Sequence, residues 1–106
     1  MSKVIHLNDS NFDQTVNETE ALVLVDFSAS WCGPCKALSP VIEKVADEWD
    51  GKAKICKVDI DEAPESAAKF KVRGVPTIIL FKSGKQVATH VGMIPKEKLT
   101  KLLESP

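Results

Sequence analysis

Residues 21–36 read ALVLVDFSASWCGPCK, an almost continuous apolar run followed closely by two cysteines. The run from Ala21 to Phe27 is typical of a strand covered on both faces, and such strands usually lie at the centre of a parallel sheet. Cys32 and Cys35 stand where this strand gives way to a helix. The rest of the predicted fold is built outward from this strand, cysteine pair and helix.

The helix after the cysteines is marked by apolar residues at intervals of three and four. They form one helical face, and they are Leu38, Val41, Ile42, Val45, Ala46 and Trp49. A second apolar strand is predicted over Lys54–Ile60. It leads into a helix that Asp61 caps and that ends near Lys71. Asp9 or Ser10 is expected to cap a helix near the beginning of the chain.

The remaining segments complete the predicted topology. A short strand at Val4–Leu7 precedes the first helix, Thr77–Phe81 and Gln86–Val91 form a hairpin, and Pro95 opens the last helix. The order β-α-β-α-β-α-β-β-α predicts an α/β fold. It has a central mixed β-sheet flanked by helices on both faces, because strand–helix–strand units imply parallel strands. We expect the 106 residues to form a single domain, 1–106.

Composition narrows the classes of function. Fourteen Lys and Arg against fifteen Asp and Glu give a net charge of -1, and no basic stretch predicts binding to nucleic acid or to an anionic membrane. No hydrophobic signal core is visible, nor any apolar run long enough to span a bilayer. Three cysteines are too few for a secreted disulfide framework. We expect a cytoplasmic monomer in a reducing compartment.

The position and spacing of Cys32 and Cys35 indicate their chemistry. At a helix N-terminus, unpaired N–H groups and the helix dipole stabilise a thiolate, which lowers the thiol pKa. Cys32 is therefore expected to be the better nucleophile and leaving group. Cys35 falls one helical turn later, close enough to bridge. We expect Cys32 to attack a disulfide and Cys35 to resolve the mixed disulfide.

A structural disulfide and a metal site are the alternative roles for this pair. The bridge would close a very short loop and constrain the unfolded chain little. A zinc site needs four ligands, and only Cys56, His6 and His90 remain, each far along the chain. A Cys-x-x-Cys beside a strand–helix–strand pattern indicates a redox motif instead. We expect no bound metal.

Several motifs together link this chain to a known family. They are Val25–Phe27, the hexapeptide Trp31–Lys36, Lys57, Arg73–Thr77, Gly84 and Gly92. In these motifs, and over essentially its whole length, the chain resembles the thioredoxin family. The resemblance implies the thioredoxin fold and a dithiol–disulfide oxidoreductase that reduces disulfides in client proteins. It also implies recycling by a flavin-dependent thioredoxin reductase that draws electrons from NADPH, with no cofactor bound by the domain itself.

Asp26 and Lys57 are charged residues within apolar strands. A buried carboxylate is costly unless it is paired or neutral. If the two strands are neighbours, these charges can meet beneath the cysteines, where burial would raise the pKa of Asp26 and Lys57 would lower it. The resemblance implies that Asp26 accepts and returns the proton of Cys35. The alternative is a strand-end residue that only makes a hydrogen bond.

The resemblance also implies a shallow apolar surface that contacts partner proteins. Its residues are Trp31, Gly33, Pro34, Val75, Pro76, Gly92 and Met93. An X–Pro bond is ordinarily trans, whereas the resemblance implies a cis Val75–Pro76 bond beside the cysteines. The backbone of Val75 would then be free to pair with an extended substrate. Trp49 and Cys56 are expected in the core.

Two positions depart from the family pattern. Ser28 stands where a tryptophan is common, and Met93 stands where a smaller residue is common. We expect Ser28 to increase solvent access and to shift the redox potential, and Met93 to enlarge the apolar rim. Two other functions stay open: an oxidant or isomerase of the same class, and a thioredoxin fold recruited as a binding subunit in which the cysteines are incidental.

Overall fold

The computed structural model describes residues 2–17 and 20–106. In these residues strands and helices alternate until a final hairpin and helix. The elements are β1 (Ile5–Leu7), α1 (Phe12–Asn17), β2 (Leu22–Ser28), α2 (Gly33–Glu48), β3 (Ala53–Asp59), α3 (Pro64–Lys69), β4 (Thr77–Lys82), β5 (Lys85–Val91) and α4 (Lys96–Glu104). The predicted element order is confirmed, and most boundaries differ from the prediction by about one residue.

The strands form a mixed sheet in the order β1-β3-β2-β4-β5. β1, β3 and β2 run parallel, whereas β4 and β5 are antiparallel to their neighbours. β2 lies at the centre, as its apolar run predicted. The α/β fold with a central mixed sheet is therefore confirmed, and the carboxyl ends of β2 and β3 meet at one edge of the sheet.

Two layers of core cover the two faces of the sheet. On one face, α2 and α4 pack against the sheet through Leu38, Ile42, Val45, Leu99 and Leu103. On the other face, Phe12 and Val16 of α1 pack with Phe27 and Phe81. The predicted helices on both faces are confirmed. Trp49 packs against the first layer as a half-buried residue, and Cys56 lies fully inside the second.

The predicted end of the third helix is wrong by about two residues. α3 ends at Lys69, and Phe70 caps it. Lys71 has a φ of 57°, a left-handed conformation that an α-helix cannot continue through. The Val72 N–H donates to the Ala67 carbonyl across this turn at 2.9 Å. The chain therefore leaves α3 sharply and enters the segment that leads to Pro76.

The predicted helix caps are also corrected. Asp61 does not cap α3, whose N-cap residue is Ala63. Instead Asp9 reaches α3 from the loop before α1 and accepts the N–H groups of Glu65 at 3.2 Å and Ser66 at 2.8 Å. The Ser66 hydroxyl donates to the same carboxylate at 2.8 Å. Asp9 thus satisfies two of the unpaired donors at a helix N-terminus, but on a helix far along the chain.

Candidate functional site

Cys32 and Cys35 form a disulfide at the N-terminus of α2, with their Cα atoms 5.3 Å apart. Cys32 is the N-cap residue, with an extended backbone conformation, and its Sγ accepts the Cys35 N–H at 3.1 Å. Pro34 lies in the first turn, where a missing N–H leaves no gap in the helix ladder. This geometry gives the Cys32 sulfur both a backbone donor and the positive end of the helix dipole.

Asp26 and Lys57 are register partners on β2 and β3, so the predicted meeting of the two strands is confirmed. Asp26 is fully buried, and neither of its carboxylate oxygens has a hydrogen-bond partner in the described part of the chain. Burial raises the pKa of the Asp26 carboxyl to about 6, and the charge of Lys57 opposes this rise.

A cleft of about 250 Å³ opens beside the disulfide. Cys35 and Lys57 both line it, together with Ser28, Asp59 and Glu62. The small Ser28 side chain is itself buried and donates to the Val58 carbonyl at 3.4 Å. The cleft brings Lys57 to the Cys35 side of the pair.

The Val75–Pro76 peptide bond is cis and lies on the other side of the cysteine pair. The Val75 carbonyl oxygen is 3.8 Å from Cys32 Sγ, and Val75 packs against the two cysteines and Ala29. The Gly92 N–H donates to the Pro76 carbonyl at 2.8 Å, which joins the end of β5 to this loop. Segments distant in sequence therefore meet around one disulfide.

Comparison with known proteins identifies this arrangement. The thioredoxin family model matches residues 3–105. The thioredoxin of Staphylococcus haemolyticus is 48% identical over 101 residues, covering 95% of each chain. That of Haemophilus influenzae is 44% identical over 103 residues, covering 97% of this chain and 96% of its own. The structure of a mutant thioredoxin from Halobacterium salinarum superposes with a TM-score of 0.87, at 37% identity, over 98% of this chain and 91% of its own.

The chain belongs to the thioredoxin family. It is a dithiol–disulfide oxidoreductase whose redox pair is Cys32 and Cys35, and it acts on disulfides in partner proteins. Thioredoxins carry no prosthetic cofactor. Within the described residues, no three His, Cys, Asp or Glu side chains gather in the way that metal ligands do. No helix among those residues has the length and apolarity to cross a bilayer.

The structure brings together the residues expected to form the contact surface of this thioredoxin-family chain. Trp31 is 66% exposed and Met93 49% exposed, whereas Val75 is half-buried and Pro76 is buried. Gly33 and Pro34 lie between the two cysteines, and Gly92 donates its N–H to the Pro76 carbonyl. Gly92 has a φ of 96°, in the left-handed region that disfavours other residues.

Asp61 contacts the site in a way that the sequence analysis, which predicted only a helix cap, did not foresee. Instead of capping α3, its carboxylate accepts the indole N–H of Trp31 at 2.9 Å and so orients the exposed ring. An acidic residue that follows the end of a strand in a parallel sheet is expected at the carboxyl edge of that sheet, beside the site. This pattern could have indicated the position of Asp61. The predicted helix cap accounted for Asp61 from its neighbours in sequence alone, without reference to the site.

Cys56 is a buried free cysteine and takes no part in this site. Burial raises the pKa of its thiol to about 12, and the nearby charge of Lys54 offsets only part of that rise. A thiol with so high a pKa supplies almost no thiolate near neutrality. The predicted core position of Cys56 is confirmed.

Proposed function

We propose that Cys32 is the attacking thiolate when this thioredoxin-family chain reduces a client disulfide. The observation that carries the proposal is the N-cap position of Cys32, whose Sγ accepts the Cys35 N–H at 3.1 Å. That donor and the helix dipole both favour the thiolate. The thiolate forms a bond to one client sulfur while the client S–S bond breaks. The second client sulfur leaves as a thiolate and takes a proton from solvent.

Cys35 completes the reaction by resolving the mixed disulfide. Its thiol gives a proton to the Asp26 carboxylate, and the new thiolate attacks Cys32 Sγ. The bond from Cys32 to the client breaks, and the client sulfur leaves as a thiolate that takes the proton back from Asp26. Two electrons pass in total from the dithiol to the client, whose disulfide becomes two thiols.

The environment of Asp26 supports this role in proton transfer. A catalytic group transfers protons best when its pKa lies close to the working pH. Burial places the pKa of Asp26 at about 6, well above the ordinary 3.8 of an exposed aspartate. Lys57 lines the cleft beside Cys35 and lowers the pKa of Asp26, so it keeps the carboxylate available as a base.

Clients are proposed to bind the rim around the disulfide. Its members are Trp31, Gly33, Pro34, Val75, Pro76, Gly92 and Met93. Exposed apolar groups beside polar backbone suit an extended client segment, because apolar contacts give affinity and backbone hydrogen bonds give orientation. The Val75 backbone, which lies beside Cys32 Sγ, is proposed to pair with the residues next to the client cysteine.

The dithiol is proposed to be restored by a flavin-dependent thioredoxin reductase that draws electrons from NADPH. Similarity to the family supports this route, because its members need an external reductant to act again. We also propose that the chain is a single-domain monomer that works in the cytoplasm, where thiols are kept reduced.

Trapping of the mixed disulfide tests the order of attack. Cys35→Ser retains the nucleophile but cannot resolve the intermediate, so it should accumulate a covalent adduct with a disulfide-containing peptide, mapped to Cys32 by mass spectrometry. Cys32→Ser is the matched control and should accumulate none. An adduct on Cys35 in the Cys32→Ser variant, formed as fast as the expected one, would reverse the assigned roles.

Recycling and direction of reaction need separate measurements. Reduced protein should be regenerated by a purified thioredoxin reductase with NADPH consumption that depends on the client disulfide. Equilibration against glutathione buffers of known potential then distinguishes a reductant from an oxidant. A pair that remains reduced in oxidising buffers, where reductant thioredoxins become oxidised, would favour the oxidant or isomerase alternative.

A further inference from the structure

The exposed apolar residues of this chain are unevenly distributed. Among the described residues, four large hydrophobic side chains are exposed: Trp31, Val87, Val91 and Met93. Trp31 and Met93 belong to the proposed client rim. Val87 is 44% exposed and Val91 69% exposed, and both belong to β5, the edge strand of the sheet. The proposed reduction mechanism gives neither valine a role.

Val87, Thr89 and Val91 form a strip on one face of β5, which we name the β5 strip. Val91 lies opposite Thr77 and Thr89 opposite Ile79, and both partners are buried. Ile79 packs with Phe12 of α1, so these residues lie on the face of the sheet that α1 covers. Alternation from Thr89 places Val87 on the same face, next to the bulge where Gln86 lies opposite Phe81. All three strip residues are exposed.

The strip is continuous with the proposed client rim. Gly92, which follows Val91 directly, donates to the Pro76 carbonyl at 2.8 Å, and Met93 comes next in the chain. One end of the strip therefore lies beside the cis-proline loop and the cysteine pair. Strand geometry gives a length of about 14 Å from Val91 to Val87, which matches about four or five residues of an extended peptide.

The part of the chain around the strip is strongly cationic. Residues 66–96 contain no Asp or Glu, although the whole chain has a net charge of -1. Their basic residues are Lys69, Lys71, Arg73, Lys82, Lys85 and Lys96. Lys69 is paired with Asp13 and Lys96 with Glu48. The other four are exposed and have no ion pair within the described residues.

Two of these four cations, Lys71 and Arg73, border the strip. Lys82 and Lys85 pair with each other at the hairpin end, and alternation from Leu80 places both of them on the opposite face of the sheet. Lys71 and Arg73 follow Phe70, whose ring packs on Phe81 of β4 with centroids 5.2 Å apart. The segment with Lys71 and Arg73 therefore lies along the neighbouring strand, beside the strip.

We propose that the β5 strip binds an extended segment of the client protein that flanks the reacting disulfide and alternates apolar with acidic residues. This inference rests on the proposed client reduction and adds a preference among clients. Apolar side chains contact Val87 and Val91, and carboxylates face Lys71 and Arg73. A second copy of the chain is a poor occupant, because pairing the same faces brings these cations together.

Three kinds of synthetic peptide test the strip. Each has the same intramolecular disulfide: one has no tail, one has a tail of about five alternating glutamates and valines, and one has lysines in place of the glutamates. Each tail is placed in turn at either end. The rate constant for reduction by the fully reduced protein is measured. The acidic tail is expected to raise the rate at least about fivefold over the lysine tail, and about 0.5 M salt should remove most of that difference.

Variants locate the effect on the strip. Val87→Thr keeps a β-branched side chain but removes apolar contact, and Lys71→Glu reverses one bordering charge. Each should lower the rate with the acidic tail by about threefold while leaving the tail-free rate unchanged. Lys44→Glu makes the same charge change at an exposed position of α2 and is the matched control. It should leave all three rates unchanged.

Each contrary result has a distinct meaning. Equal rates for the three peptides, or equal losses in Lys71→Glu and Lys44→Glu, would overturn the strip while leaving client reduction intact. Failure of the wild-type protein to reduce the tail-free peptide would overturn the proposed function instead. Wild-type dimers in sedimentation velocity that Val87→Thr dissociates would show that a second copy occupies the strip.

Discussion

Asp26 and Lys57 lie opposite each other on adjacent parallel strands, yet they do not form an ion pair. The Lys57 ammonium donates to the Ser39 hydroxyl at 3.3 Å, while both oxygens of Asp26 are buried without a hydrogen-bond partner in the described residues. Lys57 therefore acts on Asp26 through its charge alone. Burial outweighs that attraction, so the net effect is a raised pKa.

The raised pKa of Asp26 predicts that ionising it costs folding stability. The pKa is about 6 in the folded chain against 3.8 ordinarily, so the folded state binds the proton more tightly. The contribution of Asp26 to the free energy of unfolding is therefore largest below about pH 4 and falls as the pH rises through 6. The loss amounts to about 3 kcal/mol by pH 7. Between pH 3.5 and about 7.5, the free energy of unfolding of Asp26→Asn should rise by about this much relative to that of wild type.

Urea unfolding of the oxidised protein across this pH range measures that difference. The oxidised form is used because its bridged cysteines do not titrate. Asp47→Asn, which removes an exposed carboxylate from α2, is the matched control. A stability difference between Asp26→Asn and wild type that stays constant with pH would contradict the buried, ionisable Asp26.

Removal of the Lys57 charge should raise the pKa of Asp26 further. Lys57→Met keeps most of the side-chain volume but removes the charge that lowers this pKa. The carboxyl titration of Asp26, followed by NMR in the oxidised protein, should move to higher pH. If Asp26 takes the proton of Cys35, the pH profile of peptide reduction should move in the same direction.

Ser39→Ala separates charge from hydrogen bonding at Lys57. It removes the hydroxyl that accepts from Lys57 but leaves the ammonium in place. The titration curve of Asp26 should move less in Ser39→Ala than in Lys57→Met. A larger shift in Ser39→Ala would mean that the position of Lys57, and not its charge, controls the pKa of Asp26.

Asp9→Ala should destabilise the protein by uncapping α3. Asp9 accepts two backbone N–H groups and one hydroxyl of α3. Asp13→Ala is the control, because Asp13 makes only an exposed ion pair with Lys69 at 2.9 Å. The fall in urea midpoint for Asp9→Ala should be at least about twice that for Asp13→Ala. Asp9→Asn, which keeps an acceptor oxygen, should restore part of the lost urea midpoint. Equal falls in both alanine variants would exclude the cap.

Cys56 should be inert toward thiol reagents in the folded protein. Its side chain is fully buried, and burial raises the pKa of the thiol to about 12. A chromogenic disulfide reagent added to the oxidised protein should detect no thiol until denaturant is added, and then one. Cys56→Ser should show none in either state. Rapid labelling of the folded wild type would instead reveal an opening of the core at β3.

Much of the fold could be predicted because its central strands are apolar on both faces. The run ending at Phe27 and the apolar helix face after Cys35 together indicated a covered parallel sheet. The active pair was visible because its chemistry depends on local spacing. The meeting of Asp26 with Lys57 was also accessible, since two charged residues within apolar strands need a common explanation.

What sequence alone could not supply were interactions between distant segments. Helix caps are recognised from residues next to a helix, so nothing around α3 pointed to Asp9. Asp61 fitted a local cap pattern and was assigned to the wrong partner. The exposure of Val87 and Val91 depends on whether a helix covers the face of β5, and alternation along a strand does not contain that information.

The cap that Asp9 provides bears on the order in which this chain folds. α3 has six residues, too few for a helix that persists by itself in water. Its external acceptor lies 57 positions before Ser66, so the helix gains that support only after the first loop has docked. We therefore expect α3 to consolidate late and to exchange its amide hydrogens early. The segment that delivers Val75 to the disulfide thus depends on the opening residues of the chain.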